Sequence, residues 1–121
     1  MMRWRCRIAG IWCLVVTNVG ASGGPPVDPD DLAAVARGRA EFTRSCVVCH
    51  GHGGTGGRGL PLAGRALAPD MIFYTVSKGR RRGSSVMPAF ENALSVDQRW
   101  DLVAFVLSLG SRKHPADGNT H

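Results

Sequence analysis

The chain has 121 residues and a formal charge of +6, which allows one small domain. Residues 22–121 hold 12 Lys and Arg against 9 Asp and Glu, a charge of +3, too modest to call for nucleic acid as a partner. Glycines crowd the stretch from Gly51 to Gly83, so much of the chain is loop and little apolar surface is left for a core. A domain built this way needs something other than side chains at its centre.

The first stretch differs from the rest. Arg3, Arg5 and Arg7 occur before any acid, Ile8 to Val16 is almost wholly apolar, and Thr17 to Gly20 leads to Val19-Gly20-Ala21. This order of basic, apolar and small-residue regions predicts a secretory signal over residues 1–21. The apolar run is short for a bilayer span, so an uncleaved anchor is the lesser alternative. No adjacent Arg-Arg pair precedes it, which favours the Sec route over the twin-arginine route. The expected organisation is a signal at 1–21, a linker at 22–29, a domain at 30–110 and a polar tail at 111–121, with a periplasmic location.

Pro29-Asp30-Asp31 supplies an acid or N-cap for a helix running to about Ser45. Gly38, Phe42 and Cys46 recur every four residues and share one face of it. A mid-helix glycine costs about 0.5–1 kcal/mol relative to alanine, a cost that a close helix crossing would justify. Next comes Cys46-Val47-Val48-Cys49-His50. This C-x-x-C-H run is the attachment signature of c-type haem. Two thiols one helical turn apart can add to the two vinyl groups on one porphyrin edge, and the following histidine then offers its imidazole to the iron. With Cys6 and Cys13 removed by cleavage, Cys46 and Cys49 are the only cysteines left. A disulfide between them would close too short a loop to stabilise much. A thioredoxin-like pair would need a βαβ context. A zinc site would need two further ligands, and His52, His114 and His121 are poorly spaced for it.

Pro69 and Gly79 suit the first position and the stop of a short helix over Pro69–Ser77. Lys78, Arg80, Arg81 and Arg82 form the densest charge run beyond the signal, either a docking patch or a solvated loop. Two methionines remain beyond the signal, Met71 and Met87. Pro88 biases Met87 away from helix, and the 37 residues after His50 are enough to reach the other face of a haem. Ser95 with Gln98 reads as a capping box for a last helix that Gly110 ends.

Three separated pieces resemble the class I cytochrome c family, bacterial type, over about Asp30 to Leu109. They are Gly38-x-x-x-Phe42-x-x-x-Cys46-Val47-Val48-Cys49-His50-Gly51, the loop Val86-Met87-Pro88-Ala89-Phe90, and the helix from Ser95 to Val106. The resemblance implies an all-α fold in which terminal helices cross, Gly38 and Phe42 meeting Leu102 and Phe105, around one covalently bound haem c. It implies His50 and Met87 as iron ligands. It also implies a prolyl carbonyl that orients the histidine from a G-P-x-L-x-G loop. Here the loop reads Gly59-Leu60-Pro61-Leu62-Ala63-Gly64, which makes Pro61 the candidate, although Leu60 intervenes.

With both axial positions filled, the expected function is one-electron transfer without substrate chemistry. The partners would be a periplasmic dehydrogenase as donor and an oxidase or reductase as acceptor, with no small-molecule substrate. The alternatives are a haem subunit fixed within a dehydrogenase or oxidase complex, and a pentacoordinate haem sensor or enzyme if Met87 does not bind iron.

Overall fold

The computed structural model describes residues 27–111. The expected signal, most of the linker and the tail, with Cys6, Cys13, His114 and His121, lie outside the described residues.

Helix α1 spans Leu32–Ser45 and begins where the Asp31 carboxylate accepts from the N–H groups of Ala33 and Ala34. A one-turn helix α2, Val47–His50, follows directly, with Cys46 as the junction. A 3-10 turn at His52–Gly54 opens the glycine-rich loop. Helix α3 covers Pro69–Lys78, one residue longer than the sequence predicts, and Gly79 caps it. Helix α4 covers Val96–Gly110 and starts with the expected capping box: Ser95 Oγ accepts from Gln98 N–H, and Gln98 Oε1 accepts from Ser95 N–H.

The main packing is α1 against α4. At Gly38 the two backbones nearly touch, since a Cβ there would lie 2.0 Å from the Asp101 carbonyl oxygen and 2.8 Å from Phe105 Cβ. The expected partner Phe105 is therefore met, whereas the other close neighbour is the backbone of Asp101 instead of the Leu102 side chain. Phe42 packs on Phe105 with ring centroids 5.1 Å apart. Arg37 forms a two-pronged ion pair with Asp101 at 2.8 and 3.0 Å on the exposed rim of the crossing. Asp101 accordingly holds the Arg37 guanidinium above its ordinary pKa.

Helix α4 buries Leu102 through Val106 and Leu109. It can be apolar on several faces because α1 and α3 both cover it. On the α3 side, Phe73 stacks on Trp100 at 4.1 Å. Arg99, only 9% exposed, lies over the Phe73 ring and donates to the Ser77 hydroxyl and the Ser95 carbonyl. A buried guanidinium is tolerable when it is paired in this way.

The structure is not purely helical. Arg80–Arg82 and Ser85–Met87 form strands β1 and β2 of an antiparallel hairpin, with Arg80 opposite Met87. The basic run expected as loop is thus one arm of a hairpin. The turn is Gly83-Ser84, and Gly83 takes the positive φ of +56° that suits so tight a connection.

Candidate haem site

The Cys46–His50 run folds as a single helical turn. His50 N–H donates to the Cys46 carbonyl at 2.9 Å, and Cys49 N–H lies 3.2 Å from the same oxygen. Both thiols are free and half-buried. Burial, with a smaller contribution from the Glu41 carboxylate, pushes the Cys46 thiol pKa up to about 11. Glu41 is itself buried, and Arg44 and Ser45 hold it by hydrogen bonds. The Cys46 sulfur sits where a neutral species, a thiol or a thioether, is favoured over a thiolate.

His50 is oriented from its Nδ1 side. That atom lies 2.9 Å from the Leu60 carbonyl oxygen. A carbonyl can only accept, so Nδ1 carries a proton, and Nε2 is the ring nitrogen left to face a metal. This corrects the expectation for Pro61. The Pro61 residue is exposed, and its carbonyl accepts from Arg65 at 3.4 Å.

The reason is register. Gly59 N–H donates to the Cys49 carbonyl at 2.8 Å, which fixes Gly59 directly against the imidazole. A Cβ on Gly59 would lie 2.8 Å from His50 Cε1 and 2.9 Å from Nδ1. Counting from this pinned glycine, the next carbonyl is that of Leu60. Leu60 therefore stands where the family pattern has proline, and Leu62 and Gly64 keep their places. Leu62 and Ala63 then donate to the Gly54 carbonyl, and Gly64 donates to the Leu109 carbonyl, which ties the loop to α4.

Met87 ends strand β2, half-buried and packed against the core cluster. Met71 lies on α3 with 44% of its surface exposed. The structure thus turns one of the two candidate methionines inward and the other outward. Lys78, expected in the same patch, pairs its ammonium with Glu91 at 2.7 Å and stays about half exposed. Arg80, Arg81 and Arg82 remain exposed, with no carboxylate partner among the described residues.

Residues 33–106 match the family described as cytochrome c oxidase, cbb3-type, subunit III. The chain belongs to this family. It is a single-haem cytochrome c, and its cofactor is one covalently bound haem c. A cbb3-type cytochrome c oxidase subunit CcoP of Azospirillum brasilense is 33% identical over 102 residues, covering 69% of this chain and 33% of that protein. The cytochrome therefore spans about a third of that relative's length. Among solved structures it is similar to cytochrome CL of the marine methylotroph Methylophaga aminisulfidivorans, at 27% identity and a TM-score of 0.54, covering 64% of this chain and 56% of that one. It also resembles the c-type cytochrome XoxG of Methylobacterium extorquens AM1, at 22% identity and a TM-score of 0.55, covering 64% and 52%. The second likeness shows the fold alone.

The residues of this cytochrome fit a haem. The donor set is two thiols one turn apart and an imidazole whose Nε2 is free. Part of the exposed apolar surface adjoins these groups. Val48 lies between the cysteines, 79% exposed, and Leu60, whose carbonyl meets the histidine, is exposed too, while Leu32 on α1, Met71 and Tyr74 on α3, Val86 on β2 and Val96 on α4 are exposed further along the chain. Exposed apolar surface beside the thiols and the imidazole is what a flat apolar group would cover. The sequence reading missed Leu60, Gly59, Gly79 and Glu41 as parts of the site. Only the glycines carried a signal, being single residues at points where the chain comes close to another backbone or ring.

Proposed function

We propose that the cytochrome carries one electron at a time through a haem held by Cys46 and Cys49 and ligated by His50 and Met87. When bound, the haem supplies the one-electron Fe(III)/Fe(II) change. The observation that carries this reading is the single turn that places both thiols beside an imidazole protonated on Nδ1. With His50 and Met87 both bound to the iron, no coordination position would be left for a substrate, so the chain's work would be to hold and release an electron. The Met87 thioether favours the reduced state, and apolar packing around the site disfavours extra charge. Residues 1–21 read as an export signal and fit a periplasmic setting, where covalent haem attachment takes place. Among the described residues no helix is long and apolar enough to cross a membrane.

A second reading has its own support. The match to an oxidase subunit family favours a haem module that works within a cbb3-type oxidase complex and does not diffuse between partners. Both readings need a docking surface, and the exposed Arg80–Arg82 strand is the proposed one.

Three like charges on one strand raise encounter rates with an acidic partner, and salt screens that attraction over about 10 Å at 0.1 M. Mixing the reduced cytochrome with an oxidised cbb3-type oxidase should give one-electron oxidation whose rate falls as salt rises. Changing Arg80, Arg81 and Arg82 together to Gln should flatten the salt dependence and leave the visible spectrum unchanged. A triple variant with the wild-type salt slope would move docking to another surface. A reduced cytochrome that passes no electron under any salt condition would count against the carrier reading itself.

A further inference from the structure

The polar contacts that fix the Met87 segment run back to the C-terminal turn of α3. Upstream, Met87 pairs with Arg80 across the hairpin. Downstream, beyond Pro88 with its missing N–H, Phe90 N–H donates to the Val76 carbonyl at 2.9 Å and Glu91 N–H to the Ser77 carbonyl at 3.2 Å. The Lys78–Glu91 pair closes the same gap at the surface.

Between these ties the segment rests on Gly79. A Cβ at Gly79 would lie 2.6 Å from the Met87 carbonyl oxygen and 3.0 Å from both Ala89 N and the Pro88 carbonyl carbon. Gly79 also has φ +74° and ψ 179°, a backbone region essentially restricted to glycine. The site demands glycine twice, once for its own backbone and once for its contact with the Met87 segment.

We propose that Gly79 is a positioning residue for Met87, seating the backbone of the ligand segment so that its thioether stays bound to the iron. This rests on Met87 being the ligand. Gly79 bears no atom that could reach a metal, so it acts only through the backbone of Met87, Pro88 and Ala89. Any side chain at position 79 would push that backbone away from α3, and the thioether would move with it.

The test uses the haem-loaded protein and three variants, reading the Fe(III)–Met absorption band and the pH at which it disappears. Gly79→Ala should lower the ratio of Met-ligated to open iron by about five- to a hundredfold, since such backbone strain is worth ~1–3 kcal/mol and about 1.4 kcal/mol is tenfold. Gly83→Ala is the control, because Gly83 has a positive φ in the same hairpin and nothing within 4 Å of its would-be Cβ. It should keep the band.

Equal losses in both glycine variants would assign the effect to hairpin strain and overturn the proposal. So would an unchanged band in Gly79→Ala when Met87→Ala abolishes it. An unchanged band in Met87→Ala would overturn the ligand assignment itself. Should Gly79→Ala fail to fold, Met87→Ala supplies the second reading. Coupling between ligation and the bonds that tie Phe90 and Glu91 to α3 is reciprocal. Loss of the ligand should therefore speed amide exchange at Phe90 and Glu91 by about tenfold, whereas unchanged exchange would overturn the proposal.

Discussion

Met87→Ala should leave the haem on the chain and open one axial position of the iron. The proposed covalent links are at Cys46 and Cys49, on a different part of the chain, so attachment should not depend on residue 87. The iron should become high-spin or bind water, and the Fe(III)–Met band should vanish completely. The reduction potential should fall by a part of the ~0.8 V range that axial ligands span, because a thioether stabilises the reduced state. Met71→Ala should change none of these, since Met71 lies within helix α3 and Met87 in the extended segment before Pro88. An unchanged spectrum in Met87→Ala, or a changed one in Met71→Ala, would reassign the ligand.

The largest stability effect should come from Gly38. Its would-be Cβ lies 2.0 Å from the Asp101 carbonyl oxygen and 2.6 Å from the Asp101 carbonyl carbon, both backbone atoms that cannot rotate aside. Alanine at an exposed helix position would gain up to about 1 kcal/mol over glycine. Here even Gly38→Ala should lose stability, and Gly38→Val should lose about 3 kcal/mol or more, the upper end of the usual cost of overpacking. For a domain of this size that is a fall of roughly 12–24 °C in Tm, measured by thermal unfolding of the haem-loaded protein. A neutral or stabilising Gly38→Val would mean that α1 and α4 do not cross at this residue. The haem spectrum at low temperature should stay intact, because the crossing is formed by the Asp101 and Phe105 backbone and side chain, away from the Met87 hairpin.

What the sequence made legible follows from how local each signal is. The ends of α1, α3 and α4 could be read because their caps are set within three or four residues: Asp31, Pro69 with Gly79, and Ser95 with Gln98. The one-turn fold of Cys46–His50 could be read because covalent chemistry fixes its spacing. The helix crossing could be read from Gly38, since a glycine in the middle of a helix costs stability that a close backbone approach offsets.

What escaped reading depends on non-local contacts. The Lys78–Glu91 pair links residues 13 apart, so a run that looks uniformly basic is one charge weaker as a free surface. Arg99 reads as an ordinary polar position of α4 until α3 brings Phe73 and Ser77 against it. The hairpin escaped because three consecutive arginines have no apolar alternation, and its pairing is set by Gly83 and by the fixed end at Met87. The shift from Pro61 to Leu60 arises because the loop is counted from Gly59 on the imidazole, whereas proline is the more conspicuous residue of the motif.

Denaturation followed by acid–acetone extraction shows whether Cys46 and Cys49 hold the haem on the chain by thioether bonds. Thioether-linked haem should stay with the precipitated polypeptide, and a tryptic peptide containing Cys46 through His50 should carry the full mass of the haem. Haem that passes into the acetone phase, with both thiols then free to react, would mean that neither cysteine is bonded to it.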